Sequence, residues 1–184
     1  RAHVEEWRAV CDAQPAADAP IWPSTLCRAL GAALPEDALV VSDTGYSAQW
    51  SGSFIDLPHA GQGYLRAAGS LGWALPAALG AKCAVPGRPV VVFAGDGALY
   101  YPLLELETAR RRGLDVVVVV NDNGGLAQGQ RGIAAAYEGR EGRREDLYAF
   151  GDVSFERLAR ELECHGATVR DARDLRGALD EALG

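Results

Sequence analysis

The chain contains no methionine, and lysine occurs once, as Lys82, among 18 basic residues. The arginine bias, beside abundant alanine, reads as codon composition and assigns arginine no function by itself. The missing methionine, with arginine at position 1, reads as a piece of something longer. No window approaches the ~20 uninterrupted apolar residues that a bilayer crossing requires. Residues 1–20 are too charged and too interrupted by proline to hold a signal-peptide core. Cysteine is sparse: Cys11, Cys27, Cys83 and Cys164 lie 16, 56 and 81 residues apart, with no C-x-x-C and no histidine pair nearby. That spacing excludes a disulfide-dense scaffold and a zinc site, and predicts reduced, mostly buried thiols. His3, His59 and His165 are equally scattered. Acidic side chains outnumber basic ones, for a net charge of −7, which argues against nucleic acid or an anionic membrane as main partner. The expectation is a soluble, cytoplasmic protein.

What is present is a chain of 184 residues, 48% of them hydrophobic. That is one domain with an appendage, able to bury roughly 70% of its unfolded surface. Val4, Trp7, Val10 and Cys11 stand at helical spacing between Arg1 and Gln14, and Pro15 to Pro20 reads as a linker, so residues 1–20 separate from a domain over 21–184. Ser24 is placed to cap a helix running to about Leu34. Apolar runs at 38–41, 90–94 and 116–120 predict strands, with helices at roughly 71–84 and from Pro102 to Gly113 between them. Helix, strand and helix follow at 154–163, 167–169 and 175–183, and the Gly/Arg-rich stretch 139–144 reads as a mobile loop. Uniformly apolar β-branched runs separated by helices imply strands buried on both faces, hence an α/β fold with a mainly parallel sheet between two helical layers. Right-handed crossovers place every strand's C-terminal end on one edge, where such sheets bind ligands.

Three segments follow those strands: Ser42-Asp43-Thr44-Gly45-Tyr46-Ser47, Gly95-Asp96-Gly97-Ala98 and Asn121-Asp122-Asn123-Gly124-Gly125. Glycines there let the backbone approach a ligand, and successive N–H groups in such turns form an anion nest. Asp96 and Asn123 add one carboxylate and one amide oxygen, a pair suited to Mg²⁺ bridged to phosphate. Strand-exit turns favour Gly, Asp and Asn for conformational reasons too, and spacing alone leaves that choice open. A phosphate loop of the G-x-x-x-x-G-K-[ST] type is absent, and Gly95-Asp96-Gly97 lacks the third glycine of a dinucleotide fingerprint, Tyr100 standing there.

Gly95-Asp96-Gly97, with Asn123 27 residues after the aspartate, resembles the thiamin-diphosphate signature. The stretch from Gly69 to Lys82 and the segment Glu105 to Ala109 are similar to matching segments of the acetolactate synthase-like decarboxylase and carboligase family. The likeness covers roughly residues 20–184 and implies the family's C-terminal diphosphate-binding domain, a three-layer α/β/α fold. By that resemblance Asp96, the Asn123 side-chain oxygen and the Gly125 carbonyl hold Mg²⁺. The Gly97, Ala98, Gly45, Tyr46 and Ser47 N–H groups meet the diphosphate. The Gly69 carbonyl accepts from the aminopyrimidine, and Leu71 props the cofactor in a bent form. Thr44, Ser70, Gly95 and Leu126 complete the cofactor contacts. Bending brings the amino group near the thiazolium C2 proton as an internal base, and the ring serves as electron sink.

The sequence departs from the family pattern at Asp122, where asparagine is common, at Ala98 for serine and at Ala127 for glycine. For Leu71 core packing is the competing reading, and Tyr46, Gln49 and Trp50 read as a buried or interface aromatic cluster. No segment resembles the pyrimidine-binding domain whose glutamate activates the cofactor, so no catalytic residue is expected in this chain. The resemblance implies an enzyme acting on a 2-keto acid by decarboxylation or carboligation, in a homodimer or homotetramer, with the pyrimidine-binding domain supplied by a longer chain or another subunit. Alternatives are a family enzyme using an acyl-CoA or sulfo-aldehyde, and a non-catalytic thiamin-diphosphate or phosphate-binding module.

Overall fold

The computed structural model describes residues 2–12 and 20–184. Its first half runs α1 (Ala2–Asp12), α2 (Pro23–Ala33), β1 (Leu39–Ser42), α3 (Tyr46–Phe54), β2 (Gly63–Arg66), α4 (Ala74–Ala84) and β3 (Val90–Gly95). The second half adds α5 (Asp96–Leu99), α6 (Glu105–Arg112), β4 (Val117–Asn121), α7 (Gln130–Ala136), α8 (Phe155–Glu161) and α9 (Leu175–Leu183). All strand pairs are parallel, in the order β2-β1-β3-β4.

Pleating sorts the strand residues between two layers. Leu39, Val41, Val90, Val92 and Ala94 pack with Leu75 and Leu79 of α4 and Leu106 of α6. Their neighbours Val40, Val91 and Phe93 pack against Cys27 and Leu30 of α2, Phe54 of α3 and Leu179 of α9. Each large side chain buried this way contributes about 1.5–3 kcal/mol. The result is the three-layer α/β/α arrangement. After β1 the chain goes to one side for β2 and returns to the other for β3, so the exits of β1 and β3 lie side by side at a switch of strand order. Open parallel sheets take their ligands at such a switch.

Several elements differ from the sequence expectation. The α2 helix begins at Pro23 with Trp22 at the capping position, and Ser24 is a buried first-turn residue instead of the cap. Helix α4 starts at Ala74, not near 71, because Gly72 has φ +82°. Helix α6 ends as expected, with Gly113 left-handed at φ 62° after Arg110 to Arg112. Strand β2 was not anticipated, since four residues with one apolar aliphatic give no run. The β4 valines are only half-buried, as befits an edge strand. Residues 167–169 form no strand: Ala167 and Thr168 are exposed. No disulfide forms among the described residues, but Cys83 is exposed, so the thiols are not uniformly buried.

Trp7 of α1 stacks on Trp50 at 4.9 Å and reaches Phe54 at 5.2 Å, while Arg8 Nε donates to the Ser53 carbonyl at 2.7 Å. The N-terminal helix thus rests on α3. Most of the predicted linker, residues 15–19, lies outside the described residues.

Candidate functional site

Because β1, β3 and β4 are parallel, their exits share one edge. Gly95 and Asn121 are register partners, so Asp96 and Asp122 leave adjacent strands at the same level. Asp96 is 3% exposed. Its Oδ1 accepts from the Gly97 N–H at 2.8 Å and its Oδ2 from the Gly125 N–H at 2.7 Å. The Asn123 Oδ1 accepts from that same Gly125 N–H at 3.2 Å. Two side-chain oxygens 27 residues apart in the chain therefore converge on one backbone group.

Burial raises the Asp96 carboxyl above its usual 3.8, the Gly97 and Gly125 N–H groups oppose this, and the neighbouring Asp122 carboxylate adds to the rise. Burial, Asp122 and Asp96 likewise push up the Tyr100 hydroxyl. A divalent cation would neutralise this paired negative charge, and the oxygen donors suit Mg²⁺. The residues fit the metal.

The third exit loop is held in place by a short antiparallel bridge between Gly125 and Ala149. Leu126 N–H donates to the Tyr148 carbonyl and Phe150 N–H to the Gly124 carbonyl, each at 2.8 Å. A Cβ on Gly97 would lie 2.6 Å from Leu126 Cδ2 and 3.1 Å from Phe150 Cε2, so a side chain there would have to push the Leu126 and Phe150 side chains aside. Beside the bridge lies a cavity of about 250 Å³ lined by Asp96, Tyr100, Asp122, Gly124, Phe150 and Asp152, among others. Phe150 and Asp152 were not singled out from sequence; nothing local to them marks a site, because the bridge that brings them there is long-range.

The first exit loop joins the second: a Cβ on Gly95 would lie 3.1 Å from Ser47 Oγ. Gly45, at φ +80°, comes within 3.7 Å of Gln128 Oε1 by the same measure. Gly45 precedes α3, whose first turn carries no side-chain cap, with Tyr46 half-buried and Ser47 buried. Thr44 N–H is taken by Asp43 Oδ1 at 2.8 Å. Ala98 is buried at 3% in α5.

Gly69, Ser70 and Leu71 lie on the segment between β2 and α4 and are exposed, Leu71 by 37%. Core packing is therefore not the role of Leu71. Trp50 belongs to the Trp7–Phe54 aromatic cluster. The residue whose part sequence reasoning missed is Asp43, 1% exposed, which accepts from Gly72 and Ala74 across to that segment. Its position directly after a buried strand was the available signal.

Comparisons with known proteins identify the family. The family model for the thiamine pyrophosphate enzyme, C-terminal TPP binding domain, matches residues 43–184. The acetolactate synthase large subunit of Parasynechococcus marenigrum is 32% identical over 171 residues, covering 90% of this chain and 27% of that protein. The sulfoacetaldehyde acetyltransferase of Alcaligenes xylosoxydans is 28% identical over 165 residues, covering 88% and 26% respectively. The solved structure of the thiamine diphosphate-dependent 4-hydroxybenzoylformate decarboxylase of Rhodococcus jostii superposes with a TM-score of 0.74 at 31% identity, over 90% of this chain and 31% of that one. The chain thus spans little more than a quarter of the curated relatives' length. With a sheet-edge site of this build and a family match over most of its length, the chain belongs to the C-terminal, thiamin-diphosphate-binding domain family of thiamin-diphosphate enzymes.

Proposed function

We propose that this chain is the metal- and diphosphate-holding part of a thiamin-diphosphate enzyme that breaks or joins a C–C bond beside a carbonyl, with a 2-keto acid as donor. The observation that carries the reading is the convergence of Asp96 and Asn123 on the Gly125 N–H, with the Asp122 carboxylate, which accepts from the Gly124 N–H, alongside. Asp96, Asn123 Oδ1 and the Gly125 carbonyl would hold Mg²⁺. The N–H groups of Gly45, Tyr46, Ser47, Gly97 and Ala98 would receive the diphosphate. Gly69 and the exposed Leu71 would face the pyrimidine end, with Thr44, Ser70, Gly95 and Leu126 beside the cofactor. When bound, the cofactor supplies a carbon nucleophile and an electron sink. The chain's own contribution is to anchor and orient it and to exclude water at the buried Asp96.

Catalysis would require a pyrimidine-binding domain, in the same longer polypeptide or in another subunit of a homo-oligomer. The similarity to sulfoacetaldehyde acetyltransferase favours one second reading, a sulfo-aldehyde substrate. The test is titration of the full-length polypeptide with thiamin diphosphate, with and without Mg²⁺, on wild type and Asp96→Ala. Metal-dependent binding is expected for wild type, weakened by more than roughly 100-fold in the variant. Equal binding by both proteins refutes the site. Turnover of pyruvate against sulfoacetaldehyde separates the two substrate readings, and binding without turnover of either leaves the non-catalytic module.

A further inference from the structure

The two buried carboxylates among the described residues, Asp43 and Asp96, both stand at the strand-exit edge. Asp96 belongs to the metal cluster; Asp43 touches none of it. Its Oδ1 accepts from Thr44 N–H at 2.8 Å, within the first exit loop, and from Gly72 N–H at 3.1 Å. Its Oδ2 accepts from Ala74 N–H at 2.8 Å, the first residue of α4. A single rigid carboxylate thus spans two loops that are about thirty residues apart in sequence.

The segment it grips leaves β2 at Ala67, whose N–H donates to the Ser42 carbonyl at 3.1 Å. Beyond that bond, Gly69 has open space around it, and Ser70 and Leu71 are exposed. The segment returns to the body of the protein at Gly72, where φ is +82° and a Cβ would lie 2.6 Å from Tyr101 Cβ. Both of these tethers issue from the end of β1, so the position of residues 69–71 relative to residues 44–47 is set there. Ionised carboxylates accept stronger hydrogen bonds than neutral groups, and the start of α4 favours the negative charge.

We infer that Asp43 is a positioning residue that holds the Gly69–Leu71 segment in register with the Gly45–Ser47 loop, so that one cofactor molecule meets both of its ends at once. The inference rests on the proposed cofactor reading. Asp43 touches no reacting group; it acts through the two loops.

The register claim separates a ligand that needs both loops from one that needs only the diphosphate end. The full-length polypeptide, in the presence of Mg²⁺, is titrated calorimetrically with thiamin diphosphate and, separately, with inorganic pyrophosphate. Asp43→Asn keeps one acceptor oxygen, but whichever way the amide turns, its NH₂ faces a Gly72 or Ala74 N–H. Thiamin diphosphate affinity is expected to fall by more than roughly tenfold while pyrophosphate affinity stays within about twofold. Gly72→Ala, which displaces the same segment from its other side, should show the same split, and it decides the matter if Asp43→Asn does not fold. Equal losses for both ligands would show a role in general stability only, and no loss for either would show that the tether is dispensable; each overturns the inference. Wild-type protein that binds neither ligand overturns the cofactor reading instead.

Discussion

Gly125→Ala tests how the third exit loop is built. A Cβ at this position would sit 2.3 Å from the Tyr148 carbonyl oxygen, 3.2 Å from its carbon and 3.3 Å from Ala149 Cα. These are backbone atoms, so no side-chain rotation relieves the overlap. Ordinary contact begins near 3.4 Å, and the two segments must part by about 1 Å. The Leu126 to Tyr148 and Phe150 to Gly124 hydrogen bonds, both 2.8 Å, would then stretch beyond bonding range. At about 0.5–1.5 kcal/mol each, their loss costs about 1–3 kcal/mol. The Gly125 N–H would also shift from Asp96 Oδ2, loosening the carboxylate that the metal reading depends on. Urea unfolding of the metal-free protein reads the first effect, and Mg²⁺-dependent thiamin diphosphate titration reads the second. Gly132→Ala is the control: nothing lies within 4 Å of a Cβ there, and in helix α7 alanine should be neutral or stabilising by up to ~1 kcal/mol. A Gly125→Ala protein within about 0.5 kcal/mol of wild type, with cofactor binding unchanged, refutes the account of a sterically closed bridge.

Burial pushes the Cys27 thiol up to about 12, whereas Cys83 is exposed. Iodoacetamide at about pH 8 should therefore label Cys83 in the native protein and Cys27 only after denaturation, by peptide mass spectrometry; native labelling of Cys27 contradicts the packing. The raised Asp96 carboxyl means that the folded state holds its proton more tightly than the unfolded one. Its stabilising contribution is present below 3.8 and lost as pH rises through the folded value, so metal-free wild type should lose stability relative to Asp96→Asn as pH rises from about 4. Parallel pH profiles of unfolding free energy for the two proteins would remove that argument. Phe54, 1% exposed, lies 5.2 Å from Trp7 and 5.6 Å from Trp50. Phe54→Ala should cost about 3–5 kcal/mol and shift tryptophan fluorescence; a loss under about 1 kcal/mol would mean that the α1 helix is not seated on this cluster.

The layered fold was legible because its strands advertise themselves. Val90–Ala94 and 116–120 are apolar at every position, which only a strand covered on both faces sustains, and the α6 stop at Arg112-Gly113 follows from glycine's left-handed freedom. Strand β2 escaped because Gly63-Tyr64-Leu65-Arg66 draws its stability from pairing with β1, a long-range fact without local signature. At 167–169 the opposite error arose, since a short apolar stretch says nothing about whether an edge is available to pair with. The start of α4 was misplaced for a related reason: Gly72 must turn to meet Asp43, and that demand comes from another strand.

The same division runs through the site. Asp96 and Asn123 were readable because strand length and crossover length dictate their separation, and the parallel pairing of Gly95 with Asn121 turns that spacing into adjacency. Asp122 was readable only as a departure from a pattern. In the structure it stands beside a buried carboxylate whose proton affinity it raises, so the departure intensifies the need for a positive charge at this spot instead of abolishing the site. Unlike-charge compensation across a low-dielectric pocket is stronger than in water, and a site that is electrostatically unfavourable when empty gains more from its cation than a neutral one does. In the proposed site the extra carboxylate and the cofactor's own negative charge would both bear on the metal, so chelating the ion should release the cofactor and leave Asp96 and Asp122 facing each other unscreened.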